Sequence, residues 1–115
     1  MGIVEKSVEF EKKDKHLQEL LLELGVNPSL SGFDILADAV AAWHPGKGIM
    51  AIYAYVAHLH GISAAAAERR MRTAVHGAAD RDTDAWERVF GRCCSPATGT
   101  PTVSEFVARL GRELR

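Results

Sequence analysis

The sequence predicts an all-α fold, a compact bundle of about six helices containing a helix-turn-helix. Three observations point there. Ala and Leu outnumber the β-branched residues, which favours helix over strand. Apolar residues recur at i, i+3, i+4 and i+7 in one segment after another, the spacing that lines one face of a helix. Between those segments stand Gly, Pro and capping residues that end helices.

Residues 1–14 show no lasting period and end in Lys12-Lys13-Asp14, which predicts a flexible arm. From residue 15 to 115 the chain reads as one domain. Leu17, Leu20, Leu21 and Leu24 form the first helical stripe, and Gly25 supplies a left-handed stop. Asn27-Pro28 turns the chain. Leu36, Ala39, Val40 and Trp43 make the second stripe, with Ser31 as its expected cap and His44-Pro45-Gly46 as its end. Ile49, Ile52, Tyr53 and Val56 make the third, ending near Gly61. A fourth helix is expected from about Ser63 to Ala79, with Ala67, Met71, Ala74, Val75 and Ala78 inward. A short helix around Trp86, Val89 and Phe90 stops at Gly91, and Cys93 to Thr100 reads as loop. Thr102 and Glu105 form a capping box behind Pro101, and Val103, Phe106, Val107, Leu110 and Leu114 line the last helix.

A chain of 115 residues supports one core rather than two. Lys plus Arg number 14 and Asp plus Glu 15, a net charge of −1, so any nucleic-acid surface must be local. The adjacent Cys93 and Cys94 suit neither a relaxed disulfide nor a zinc site, which predicts a reducing, cytoplasmic setting. No apolar run reaches the length of about 18 residues that a membrane span needs, and no signal-peptide pattern opens the chain.

Val56-Ala57, Gly61-Ile62 and Ala67 have the spacing of a helix-turn-helix, in which Gly permits the tight turn and small residues let the helices approach. Spacing alone fits a plain packed helix pair equally. At about 100° per residue, the fourth helix puts Ala65, Arg69, Arg72, Thr73 and His76 opposite its inward residues, with Ala66 and Glu68 at the margins. Arg can take a guanine edge or a phosphate, Glu can accept from cytosine N4, and small alanines let the backbone enter a major groove. The same face also reads as solvated, with Glu68 paired to Arg72 one turn on. Both readings stay open at this point.

Several local strings, in order, resemble the C-terminal effector domains of the stage zero sporulation protein A family, response-regulator transcription factors of sporulating bacteria. The resemblance runs from about His16 to Leu114. It is carried by Leu24-Gly25-Val26, Gly32, Glu68-Arg69 with Arg72, Phe90-Gly91 and Pro101-Thr102-Val103-Ser104-Glu105-Phe106. It implies six helices with a helix-turn-helix, sequence-specific binding of double-stranded DNA, and tandem or paired copies on that DNA. Glu68 and Arg69 match the family's base-facing pair, and Arg72 its following Arg. Ala66 stands where the family offers another basic residue, and Thr73 where it offers His, so this helix has fewer groups for base or phosphate. The family's receiver domain has no room in this chain, which predicts a stand-alone regulator or a fragment.

Other residues point elsewhere less well. His58 and His60 stand at i and i+2, on different faces, unlike a metal-binding i,i+4 pair. Trp43, Trp86, Phe90 and Phe106 lie on apolar stripes and are expected in the core. His44-Pro45-Gly46-Lys47-Gly48 lacks P-loop spacing, though Lys47 is a candidate for a DNA phosphate. No nucleophile, base and orienter stand together, so the expectation is a protein that is not an enzyme, with no cofactor and no metal. The rival reading is a protein-interaction module that kept the fold and lost the groove contacts.

Overall fold

The computed structural model describes residues 15–91 and 99–114. The arm expected over 1–14 and the Cys93-Cys94 pair lie outside them. Six helices run through the described residues: α1 (15–23), α2 (Ser31–Ala42), α3 (Ile49–His60), α4 (Ala64–Arg81), α5 (Asp84–Phe90) and α6 (Val103–Glu113). No described residue is in a strand.

Two helices end through the same device. At Gly25 (φ 91°) the N–H donates to Leu22 O at 3.0 Å while Val26 N–H donates to Leu21 O at 3.0 Å. At Gly61 (φ 64°) the equivalent bonds reach His58 O at 3.3 Å and, from Ile62, Ala57 O at 3.0 Å. Each left-handed glycine thereby satisfies carbonyls that the helix end would leave open. Helix starts follow the caps in three cases. Ser63, Thr83 and Thr102 accept backbone N–H groups of α4, α5 and α6, and Glu105 completes the capping box by accepting Thr102 N–H at 3.0 Å.

Ser31 departs from its expected role. It is the first residue of α2, and Leu30 stands at the N-cap without a side-chain bond. The polar turn before it is closed instead by Asn27, whose Oδ1 accepts from Ser29 N–H at 3.0 Å and from the Ser29 hydroxyl at 2.8 Å. That Asx turn leads the chain into α2 without a capping serine. α4 also runs two residues past Ala79, to a left-handed Asp82 (φ 46°).

α2 and α4 share the centre of the bundle, packed against each other and each against α3 and α6. Gly32 explains how closely α2 meets α4: a Cβ there would stand 2.3 Å from the Arg70 carbonyl oxygen. Gly111 does the same for α6, where a Cβ would stand 2.3 Å from the Trp43 ring. The expected core aromatics are buried. Trp86, Phe90 and Phe106 form one cluster, with centroids 4.7 Å apart for Trp86 and Phe90 and 5.2 Å for Phe90 and Phe106. The inward residues of α4 are all fully buried beside Leu21, Leu36, Ile52 and Val56. At about 1.5–3 kcal/mol for each large apolar side chain removed from water, this core fixes which side of α4 faces outward.

Two long-range bonds lock the α4–α5 junction to the end of α1 and the turn after it. Arg81 donates to Gly25 O at 3.0 Å, and the Thr83 hydroxyl donates to Glu23 O at 2.8 Å. Among the described residues no single helix is long and apolar enough to cross a membrane.

Candidate nucleic-acid interface

α3 and α4 meet at 97° across a break of three residues, His60 being the last of α3 and Ala64 the first of α4. A helix pair crossing at about 90–120° through a short turn with Gly is the geometry of a helix-turn-helix. Gly61 makes the turn and Ser63 starts α4, its hydroxyl accepting Ala66 N–H at 3.1 Å. No acidic residue stands in the first turn of α4, so the positive end of its dipole is not neutralised by its own side chains.

Of the residues expected on the outward face, Ala65, Arg69, Arg72, Thr73 and His76 are exposed, and Ala66 and Glu68 are half-buried. The burial of Ala67, Met71, Ala74, Val75 and Ala78 leaves no other orientation for the helix. Two subsets form within this face. Arg72 Nη1 donates to both Glu68 carboxylate oxygens at 3.1 Å, a pair with 53% of the Arg and 29% of the Glu side chain exposed. Thr73 turns its hydroxyl back to Arg69 O at 3.1 Å, so its proton is committed to the helix while its oxygen can still accept.

Lys47 sits apart from this face, on the loop before α3. It is half-buried, with its Nζ 5.6 Å from the centroid of the Tyr55 ring. The cation lies over an aromatic face and so is held at the start of α3.

Sequence reasoning missed three features. Arg70 is exposed too, on the flank of α4 whose backbone meets Gly32. Its signal was its place one residue, or about 100°, after Arg69. Tyr53, assigned to the α3 stripe, is half-buried beside the Glu68 and Arg72 charges. Burial raises its phenol above the ordinary value, the Glu68 carboxylate adds to the rise, and the Arg72 guanidinium opposes it. The third is His60, whose Nε2 lies 2.7 Å from Asp38 Oδ2 and ties α3 to α2 across 22 residues of sequence. Spacing within one helix gives no sign of that partner.

The face presents two guanidinium groups to solvent at Arg69 and Arg72, an imidazole at His76, and a carboxylate already oriented by Arg72. Such a set can grip phosphates and meet the donor and acceptor edges of bases. Among the described residues no three His, Cys, Asp or Glu side chains gather as a metal site. Comparison with curated proteins gives no match. The family model described as sporulation initiation factor Spo0A C terminal matches residues 17–114, a stretch that takes in nearly all of α1 and the whole of α2 to α6. The chain therefore belongs to the family of Spo0A C-terminal domains, DNA-binding domains of the transcription factor that initiates sporulation.

Proposed function

We propose that this chain binds double-stranded DNA sequence-specifically as a cytoplasmic transcription regulator of the sporulation effector type, with α4 in the major groove. The observation that carries the proposal is the exposed row of Arg69, Arg72, Thr73 and His76 on a helix projected at 97° from α3. Small side chains at Ala65 and Ala66 let the start of α4 approach the groove floor, and its unneutralised N-terminus favours phosphate. Arg69, at the centre of the face, takes a guanine O6/N7 edge. Arg72 holds phosphate or sets the Glu68 carboxylate to accept from cytosine N4. Lys47 supplies a phosphate contact from the neighbouring loop. The reading includes no catalytic step and no small-molecule cofactor, and it has copies pairing on DNA rather than as a permanent dimer.

Fluorescence anisotropy tests it, with a short duplex carrying the TCG-type element that the resemblance implies and a scrambled duplex as control. The expected result is preference for the first and a shallow fall of log affinity with log salt, because a chain of net charge −1 makes only a few phosphate contacts. Absence of binding to either duplex at about 50 mM salt overturns the proposal in favour of an interaction module that kept the fold.

A further inference from the structure

Arg70 stands off the row of Arg69, Arg72 and His76, about 100° around α4 from Arg69. It is exposed, and its guanidinium makes no hydrogen bond or ion pair with a described residue. Packing on either side of α4 shows which flank it occupies. The Arg70 backbone and the Ala74 side chain meet Gly32 of α2. Glu68 and Arg72 lie toward the other side, where Tyr53 of α3 sits beside their charges. Arg70 therefore marks the α2 flank of α4, and the Glu68–Arg72 pair marks the α3 flank. Its neighbours along the α2 flank are small: Ala66, Thr73 and Gly77, at i−4, i+3 and i+7. The further cation on that flank, Arg81, already donates to Gly25 O at 3.0 Å.

We propose that Arg70 binds a backbone phosphate of the DNA strand opposite the one that the α3 flank meets. It rests on the DNA reading above and adds a contact to it. An α-helix with its side chains is about 10–12 Å across and the major groove about 12 Å wide, so a helix lying in the groove has a phosphate backbone along each flank. On the α3 side, Arg72 and Lys47, the latter held over Tyr55, stand toward one backbone. On the α2 flank Arg70 alone is open to the other. Its place about 100° from Arg69 sets it against the groove wall rather than the floor, which makes its ligand a phosphate and not a base edge. The small side chains at Ala66, Thr73 and Gly77 let that wall come close. Arg70 gives up no ion pair on binding phosphate, whereas Arg72 shares its guanidinium with Glu68 at 3.1 Å. Contacts on both walls fix the rotation of α4 about its own axis, which holds Arg69 over the bases.

The test titrates the full chain, Arg70→Gln, Arg70→Lys and Lys47→Gln against the preferred and the scrambled duplex. In a second series a neutral methylphosphonate replaces one phosphate at a time, along one strand of the site and then along the other. Arg70→Gln should weaken both duplexes alike, by a deficit that shrinks about threefold between about 50 and 200 mM salt. Arg70→Lys should restore most of the loss, because a phosphate accepts a point charge. At one linkage the neutral group should weaken the parent yet change Arg70→Gln by less than about twofold, whereas losses at the other linkages add to that of the variant. That linkage should lie in the strand opposite any that couples to Lys47→Gln. A purely structural role for Arg70 would couple to no linkage. Parent-like binding by Arg70→Gln, an altered base preference, coupling to no linkage, or coupling of Arg70 and Lys47 to the same strand overturns the proposal and leaves the DNA reading standing. A parent that binds neither duplex overturns both.

Discussion

α3 and α4 share one hairpin and one core but turn opposite chemistry outward. Inward they are alike: Ile52, Val56 and Ala57 on α3 meet the same cluster as Ala67, Met71 and Val75 on α4. Outward, α4 carries exposed guanidinium groups at Arg69, Arg70 and Arg72 and an imidazole at His76, whereas α3 carries Met50, Tyr55 and Leu59 with no Asp, Glu, Lys or Arg of its own. Core packing explains the shared side and constrains neither outer one. The outer faces therefore differ for reasons other than packing, and the proposed DNA contact of α4 accounts for its charged one.

Reversing inside and outside on α4 has the largest expected effect. Met71→Asp places a charge among fully buried residues and should lower stability by several kcal/mol, read by thermal melting. A variant as stable as the parent would mean that the faces of α4 are wrongly assigned. Gly32→Ala comes next. Its Cβ would meet the Arg70 carbonyl oxygen at 2.3 Å, so α2 must shift from α4, a change expected to lower stability by about 1–3 kcal/mol. Backbone atoms cannot rotate away as a flexible side chain can.

Gly77 gives a smaller effect of opposite sign. It is exposed within α4, and nothing lies within 4 Å of a Cβ placed there, so Gly77→Ala should stabilise the free protein by about 0.5–1 kcal/mol. Duplex affinity measured on the same variant reports how close the groove comes, because a groove wall near that position would offset the gain. The smallest effect concerns Tyr53, where α3 meets the charges of α4. Its phenol is raised in the folded state, so the folded protein holds that proton more tightly than the unfolded chain does. The resulting stabilisation is fully present below the ordinary phenol value near pH 10 and is lost as pH rises through the higher folded value. Melting followed upward from about pH 9 should show a shallower decline in Tyr53→Phe than in the parent.

Much of this architecture was legible because it is local. The stripe from Ala67 to Ala78, the glycines at 25 and 61 and the Thr102–Glu105 capping box each act within a few residues, and the structure places each where the spacing does. The misplaced boundaries had non-local or less usual causes. Ser31 lost its capping role to a turn built by Asn27, and α4 extends to a left-handed Asp82, where no glycine marks the stop. The α4 face followed directly from periodicity, including the marginal positions of Ala66 and Glu68. Lys47 over Tyr55, His60 beside Asp38 and the apolar outer face of α3 did not, since each depends on which sides other elements cover.

On the proposed reading the outer face of α4 reads bases and gives Arg69 and Arg72 different tasks. Arg69→Ala and Arg72→Ala, titrated by anisotropy against the preferred duplex and against duplexes changed one base pair at a time, test it most directly. The predicted result for Arg69→Ala is a loss of about 1–3 kcal/mol on the preferred site, with relaxed choice at one position. Arg72→Ala should weaken all duplexes alike and reduce the salt slope by about one contact. Equal losses in the two variants with base preference unchanged would contradict it.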